Sequence, residues 1–352
     1  MIESSQWHKY QKEIPDGPFF FVRSCIRQTF SMGAEAMLQK ILKEYLGLKV
    51  YEDPRHTCCT GIAYHTDIVP IETSMTVIAR QFSLMNEMGY EHLLVSCITS
   101  FGMYNEILAL WKEYPEKLEE ARKNLYKATG RTFEVPKSVI HTSDIIYKYR
   151  NELAAKMKYK LVDCNTGEPL RMADHVGCHY AKIFPMKGVG GAEFPQVLSG
   201  LAEPWGARWI DYTERRHCCG FGFRHYLLQE NRGYSITHSK IKFESLAPHN
   251  PDLIVTNCPG CNMFLDRWQY TIAEMEGRTY DKFGHGIPVV SYEELAALLL
   301  GENPWDIGLQ MHQVQLETLM DKIGIPYDES KKYLGKDGEY IGKPDTPEIL
   351  LV

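Results

Sequence analysis

The cysteines are the residues of this 352-residue chain whose types and spacing could do chemistry. Nine of the ten fall into two sets of the same order: a single cysteine, an adjacent pair, and a cysteine that ends an apolar segment. The sets lie about 155 to 160 residues apart, so the chain contains an internal repeat. Soft thiolates bind zinc and iron–sulfur clusters, and the repeat therefore predicts a metal site in each half. The first set is Cys25, Cys58, Cys59 and Cys97, and the second is Cys178, Cys218, Cys219, Cys258 and Cys261.

The second set is informative because it has five members. A structural zinc ion takes four ligands, and an ordinary cubane cluster also needs only four thiolates. Five thiolates favour an iron–sulfur cluster of unusual shape, in which one iron binds an additional thiolate. The adjacent pair Cys218-Cys219 supports this interpretation, because neighbouring side chains can reach different atoms of an extended cluster. Zinc is the less favoured alternative.

The elements that position these cysteines follow from the apolar pattern. Residues 92–96 and 253–257 are short, rich in Val, Leu and Ile, and followed by a cysteine, as is typical of buried parallel strands. Helical patterns lie between such segments, at residues 71–88 and 239–247. Each half is therefore an α/β unit, with a small, largely parallel sheet flanked by helices. Ligands gather beyond the carboxyl ends of such strands, so distant cysteines converge there.

This organisation predicts two tandem, pseudo-symmetric domains, residues 1–160 and 161–302. Residues 111–130 are expected to form a surface helix, and residues 151–170 to connect the repeats. The remainder, residues 303–352, predicts one amphipathic helix over 305–323 and then an extended tail. That helix would pack on its own domain or, as the less favoured alternative, dock a partner.

The complete motif resembles a known family. Cys178, then Cys218-Cys219-Gly220, then Cys258-Pro259-Gly260-Cys261, with His-Val-Gly-Cys-His at 175–179, is similar to the motif of the cysteine-rich CCG-domain proteins. The resemblance is closest to the B subunit of heterodisulfide reductase and its relatives in bacterial sulfur oxidation, and it extends to about Leu300.

This resemblance implies an oxidoreductase subunit of a heterodisulfide reductase-like complex. The five cysteines of the second half would bind a noncubane [4Fe-4S] cluster, at which a disulfide is cleaved or formed one electron at a time. The implied partners are the iron–sulfur C subunit and the flavoprotein A subunit of such a complex, and a small or protein-bound thiol or disulfide as substrate.

The first half departs from the family pattern. Ser100 stands where the fifth cysteine would be, and Thr60 replaces the glycine after the cysteine pair. Because a serine oxygen is a weaker ligand for iron at neutral pH, this site would hold an altered cluster, a four-thiolate cluster or, less favoured, zinc. We expect the second site to perform the sulfur chemistry and the first to serve as an electron relay or an altered copy.

His179 and Cys261 are the candidate catalytic residues. His179 directly follows a cluster cysteine, and a protonated imidazole could donate to a leaving thiolate. The other motif histidines are more simply interpreted as polar residues near the sheet edge. The nearby basic residues are more simply interpreted as solvated surface residues. Cys164 is expected to be a buried structural thiol. The other motif histidines are His56, His175, His217 and His225, and the basic residues are Lys182 and Arg224.

Composition excludes some classes of function. A net charge of −6 gives no basic face for nucleic acid, and no segment is long and apolar enough to span a membrane. The N-terminus has no basic region followed by an apolar core, so we expect a cytoplasmic protein whose cysteines stay reduced. Phosphate-cradling and dinucleotide-binding glycine motifs are absent, which assigns any flavin or nicotinamide to a partner.

Three alternatives stay open at this point. Cys258-Pro259-Gly260-Cys261 also fits a thioredoxin-like dithiol at a helix start, although a dithiol does not explain two matched cysteine pairs. A non-catalytic electron-transfer or scaffold subunit would use the same ligands. A zinc-stabilised structural protein would be colourless.

Overall fold

Two four-stranded parallel sheets of the same strand order form the framework of the protein. The computed structural model describes residues 13–181, 188–191, 194–221, 232–277, 280 and 286–326. The sheet orders are β2-β1-β3-β4 and β6-β5-β7-β8, which confirms the α/β class and the repeat. The strands of the first sheet are β1 (Phe19–Val22), β2 (Val50–Glu52), β3 (His92–Val95) and β4 (Ser138–His141). Those of the second are β5 (Arg171–His175), β6 (Arg208–Trp209), β7 (Leu253–Thr256) and β8 (Val289–Ser291).

One central strand of each sheet is buried along its whole length. All four residues of β1, with the sequence FFFV, and of β7, with the sequence LIVT, are buried. Strands covered by helices on both faces lack the polar alternation of half-exposed strands. This burial makes the strand ends rigid supports for the loops that carry the cysteines.

Helices cover both sheets. The predicted helix at 71–88 is confirmed as Ile71–Glu87, and Gly89 follows it with a left-handed φ of 76°. The predicted surface helix begins later than expected, at Pro115, because Trp111 belongs to the preceding helix and is buried. The helices of the first half are α1 (Cys25–Phe30), α2 (Met32–Lys40), α3 (Gly61–His65), α4 (Ile71–Glu87), α5 (Ile98–Glu113), α6 (Pro115–Thr129), α7 (Thr142–Lys148) and α8 (Arg150–Lys156). Those of the second half are α9 (Cys178–Ala181), α10 (Arg232–Leu246), α11 (Pro259–Glu276) and α12 (Tyr292–Leu300).

The C-terminal segment corrects one prediction. Instead of one helix over 305–323, the chain forms α13 (Pro304–Ile307), a short 3-10 turn (Leu309–Met311) and α14 (Glu317–Ile323). Gly308 adopts a left-handed φ of 89° and ends α13, so helical periodicity on both sides of it did not mean one helix. Apolar residues of α14 are buried against the chain's own core. The predicted tail after residue 326 lies outside the described residues.

The two halves meet through equivalent elements. Helix α1 packs against α11, and α9 packs against α5, so the first helix of each half contacts the helix that begins at the CxxC or CxxS segment of the other. Two equivalent polar contacts accompany this packing: Tyr180 donates to Asp144, and Arg27 pairs with Glu293. In the part of the chain that the structure describes, no helix combines the length and apolar character needed to cross a bilayer.

Candidate functional site

The cysteines lie at the carboxyl edges of the two sheets, as the spacing predicted. Cys97 and Cys258 follow β3 and β7 and occupy the N-cap positions of α5 and α11. Cys25 and Cys178 are the first residues of α1 and α9. The adjacent pairs lie in the loops that follow β2 and β6. The start of a helix carries partial positive charge and favours thiolates, so the fold places the sulfur atoms where anionic ligands are stabilised.

In the second half, the structure brings the pair and the CxxC segment together. The Cys219 and Cys261 sulfur atoms lie 3.2 Å apart, and both side chains are buried. A ring nitrogen of His175, at the end of β5, lies within 4.8 Å of both sulfurs. Cys261 therefore lies against the cysteine pair instead of forming an isolated dithiol with Cys258.

The first half repeats this geometry with one change of atom. The Ser100 hydroxyl donates to the Cys59 sulfur at 3.2 Å, the same separation that joins Cys261 to Cys219. The Cys25 and Cys58 sulfurs lie 3.8 Å apart at the exposed rim. Ser100 thus occupies the place of the fifth sulfur.

The loops after the two cysteine pairs share a backbone conformation. Thr60 and Gly220 both have a left-handed φ, of 60° and 92°. A Cβ on Gly220 would lie 2.1 Å from the Ser235 carbonyl oxygen, so only glycine fits there. Thr60 is tolerated because its hydroxyl donates to Ser74 at 2.8 Å, at the equivalent place on α4. The substitution at Thr60 therefore preserves the loop.

Backbone amides point at the sulfurs. In the second half the Gly220 and Phe221 amides donate to Cys218 and Cys219, each at 3.4 Å. In the first half the Gly61 amide donates to Cys59 at 3.4 Å. Such bonds stabilise anionic sulfur and tune the potential of iron–sulfur clusters.

The thiols are too crowded to ionise together. Cys218 and Cys261 stabilise the Cys219 thiolate and lower its pKa, whereas the thiolate of Cys219 raises the pKa of each of them. Cys25 and Cys59 have the same relation to Cys58. Each thiolate therefore makes ionisation of the neighbouring thiols less favourable. All thiols of a set can ionise together only if positive charge lies at the centre of the set. This donor set fits a metal centre with several thiolate ligands.

Exposure differs in an ordered way within each set. Cys25 and Cys58 are exposed and their counterparts Cys178 and Cys218 are half-buried, whereas the other five are buried. Each centre therefore has one open edge. The ten cysteines all lie in the described part of the chain, and none forms a disulfide.

The two centres are adjacent. A Cβ on Gly177, which precedes Cys178, would lie 2.8 Å from the Cys258 Cβ and 3.1 Å from the Ile98 side chain. Ile98 directly follows Cys97, so this one glycine contacts the ligand loops of both halves. The close approach of the centres follows from the packing of α1 on α11 and α9 on α5.

His179 lies between the halves. Its ring centroid is 5.0 Å from that of His65, and burial lowers the pKa of His179 to about 4. The ring is therefore neutral near pH 7. Its predicted role as a proton donor stays a prediction, and so does the catalytic role of Cys261.

The remaining sequence candidates have ordinary contacts or lie elsewhere. The Nδ1 atom of His56 lies 2.6 Å from the Asp53 carbonyl oxygen. The Nε2 atom of His217 lies 3.0 Å from the Nδ1 atom of His238. Cys164 is exposed, which corrects the expectation of a buried thiol, because the segment around it lies on the surface beside α14. Three candidates lie outside the described residues: Lys182, Arg224 and His225.

Sequence reasoning missed a buried polar group beneath the second centre. Asp174 accepts two bonds of 2.8 Å from Arg215, whose guanidinium lies 4.8 Å from the Trp209 ring centre. The Lys242 ammonium is fully buried beside it and bonds to the Tyr212 hydroxyl at 3.2 Å. Lone charged residues on a strand and a helix give no spacing signal, so only the fold reveals that they meet.

The chain belongs to the cysteine-rich domain (CCG) family, whose sequence profile matches residues 20–103 and 172–266, once in each half. Among curated proteins it is 26% identical over 326 residues to the B subunit of ferredoxin:CoB-CoM heterodisulfide reductase of Methanosarcina acetivorans, covering 89% of this chain and 98% of that protein. It is 27% identical over 303 residues to a second B subunit of that organism, from a ferredoxin/F(420)H(2)-dependent CoB-CoM heterodisulfide reductase, covering 86% and 95%. The resemblance to the B subunit of heterodisulfide reductase is confirmed.

A solved structure shares the fold. A hypothetical protein from Helicobacter pylori superposes with a TM-score of 0.59 at 14% identity, over 89% of this chain. The chain spans 56% of the length of that protein. This likeness concerns the arrangement of helices and strands alone.

Proposed function

We propose that this chain is the iron–sulfur subunit of a heterodisulfide reductase-like complex and performs disulfide/thiol redox chemistry in its second half. The observation that carries the proposal is the convergence of Cys219, Cys261 and His175 beneath the half-buried Cys178 and Cys218. Five thiolates in one place are more than a zinc ion or a cubane cluster needs. The proposed ligands are Cys178, Cys218, Cys219, Cys258 and Cys261, around a noncubane [4Fe-4S] cluster.

Such a cluster, when bound, supplies single electrons to a disulfide sulfur. The protein's own residues provide the setting for that chemistry. The half-buried edge at Cys178 and Cys218 admits a substrate sulfur, whereas the buried Cys219 and Cys261 exclude water from the opposite side. The amides of Gly220 and Phe221 hold the cysteine pair in place and stabilise its negative charge.

His175 supports the same proposal. Both of its ring nitrogens are buried, and one of them lies within 4.8 Å of the Cys219 and Cys261 sulfurs. Burial lowers the pKa of His175, and the charge of Lys242 lowers it further, so the ring is neutral. A neutral imidazole beside Cys219 fits a role as donor to a cluster sulfur atom.

The first half is proposed to relay electrons. Cys25, Cys58, Cys59 and Cys97 would bind its cluster, with Ser100 as a fifth, oxygen ligand or a hydrogen-bond donor. The contact of both ligand loops with Gly177 supports transfer between the halves. An iron–sulfur C subunit and a flavoprotein A subunit are the proposed partners, a small or protein-bound disulfide the proposed substrate, and the cytoplasm the proposed location.

Metal analysis tests the proposal. Protein purified without oxygen should contain about eight irons with matching sulfide, and Cys219→Ser and Cys59→Ser should each remove about half. If the wild type contains only four irons and only Cys219→Ser loses them, the first half binds no cluster and cannot relay electrons. Zinc without sulfide would overturn the redox function.

A second measurement separates catalysis from electron transfer alone. The assembled complex should reduce a mixed disulfide of two small thiols with a reduced viologen as electron donor. Cys261→Ser should lower this rate at least 100-fold while the first-half spectrum stays. If Cys261→Ser reduces the disulfide as fast as the wild type, the chain transfers electrons without performing the disulfide chemistry itself.

A further inference from the structure

The buried ammonium of Lys242 distinguishes the two halves. Its Nζ atom donates to the Glu214 and Arg215 carbonyl oxygens at 2.7 and 2.9 Å and to the Tyr212 hydroxyl. These residues belong to the loop that leads into the pair Cys218-Cys219. All three acceptors are uncharged, so hydrogen bonds satisfy the ammonium without neutralising it.

The nearest buried carboxylate is already paired. Asp174 binds the Arg215 guanidinium through both of its oxygens. Among the described residues, Lys242 forms no ion pair, so this group carries one positive charge in excess. Burial lowers the pKa of Lys242 to about 7, and the negative charges of Cys219, Asp174 and Cys261 act against that shift. That value already includes these negative charges, so the ammonium form of Lys242 predominates below pH 7, and the excess positive charge is present there.

The first half has a neutral residue at the equivalent place. Helix α4 corresponds to α10, because Ser74 and Ser235 face the equivalent positions Thr60 and Gly220. Seven residues further along these helices stand Gln81 and Lys242, both fully buried. The Gln81 amide donates to the carbonyl and hydroxyl oxygens of Thr57, the residue before the pair Cys58-Cys59. Both side chains thus hold the loop before a cysteine pair, and only one of them is charged.

The buried cation of the first half is compensated. Arg27, on α1, lies 3.9 Å from the Glu35 carboxylate and also pairs with Glu293. One guanidinium there faces two carboxylates. The hydrogen-bonded group that holds the loop before Cys218 therefore has one positive charge in excess, whereas the group around Arg27 has none.

We propose that Lys242 is a positioning residue whose charge makes the second-half cluster the stronger electron acceptor of the two. The inference rests on the proposed function, because it requires a cluster in each half. A cluster with five thiolates is an anion, and a positive charge in a low-dielectric interior favours its further reduction. One electron leaves the first cluster and one enters the second, and below pH 7, where Lys242 is already protonated, no proton needs to move with the electron. Electrons supplied by a one-electron carrier would collect where the disulfide is reduced.

The test is an anaerobic redox titration at pH 6, where Lys242 is protonated, followed by electron paramagnetic resonance. Each half is measured alone, the second in a Cys59→Ser background and the first in a Cys219→Ser background. Lys242→Gln, which copies the first half, should lower the reduction equilibrium constant of the second cluster at least tenfold, equal to about 59 mV for one electron. Lys242→Arg keeps the positive charge, so its reduction equilibrium constant should stay close to that of the wild type.

The reciprocal variant is the matched control. Gln81→Lys should raise the reduction equilibrium constant of the first cluster and leave that of the second cluster unchanged. If Lys242→Gln does not fold, this variant decides whether a buried charge at this position sets the constant. An unshifted second cluster in Lys242→Gln with full iron and sulfide would overturn the inference while the proposed function stands. Absence of iron from the wild type would overturn the proposed function itself.

Discussion

The Ser100 hydroxyl donates to the Cys59 sulfur at 3.2 Å, at the place that a thiol occupies in the other half of the molecule. The second half has Cys261 at the same distance from Cys219. At this position the two centres differ by a single atom, oxygen in place of sulfur. This difference can be reversed by mutation, which makes the proposed asymmetry testable.

Ser100→Cys should convert the first centre to the five-thiolate type. In a Cys219→Ser background, its paramagnetic spectrum should come to resemble that of the second half, and iron loss to a chelator should slow at least two-fold. Sulfur binds iron more strongly than a serine oxygen does. Thr99→Cys, one position earlier on α5 and also buried, is the control and should change neither property. An unchanged spectrum in Ser100→Cys would mean that residue 100 lies outside the ligand set.

Gly220→Ala should destabilise the protein and release iron from the second half. The left-handed backbone costs about 1 to 3 kcal/mol for a residue with a Cβ, and contact with the Ser235 carbonyl adds to this. Thermal unfolding and iron analysis of the purified variant measure both effects. Thr60→Gly is the matched change in the first half and should stay within about 1 kcal/mol of wild type, since the loss of the hydroxyl contacts with Ser74 and the Cys59 carbonyl is offset by relief of the left-handed backbone. Equal losses in the two variants would contradict the structural equivalence of the loops.

A buried charge cluster at the C-terminal segment should make stability depend on pH. Burial opposes the charge on His312, but the Glu294 carboxylate, 3.4 Å away, outweighs it and raises the pKa of His312 to about 9. A raised pKa stabilises the fold below the unfolded value near 6.5, and this contribution is lost as the pH rises through about 9. For Glu294, burial is likewise outweighed by His312, and its pKa falls to about 2, so its contribution is lost only in acid.

His312→Gln should therefore lower the free energy of unfolding by at least about 1 kcal/mol at pH 6, and the difference should shrink by pH 9.5. Denaturant unfolding of wild type and variant across this range measures it. Gln310→Ala, on the neighbouring turn, serves as the control. A difference that does not change between pH 6 and 9.5 would show that His312 acts by packing and not by charge.

The sequence by itself determined the candidate ligands and the elements that hold them. Two cysteine sets in one order revealed the repeat, and uninterrupted apolar segments before Cys97 and Cys258 identified β3 and β7. These signals are local: a buried strand, a helix period and a CxxC segment each lie within a short window of residues. The same locality explains the error in the C-terminal segment, where Gly308 ends a helix that the apolar period alone would continue.

Only the tertiary structure decided what surrounds the sulfurs. The contact of His175 with Cys219, the pair Asp174–Arg215 and the buried Lys242 join residues that are far apart in the chain and follow no period. Their burial depends on how β5, α10 and the loop before Cys218 pack together, and no pattern within one segment encodes that packing. The candidate ligands could therefore be named from the sequence, whereas the charged groups around them are brought together by long-range contacts.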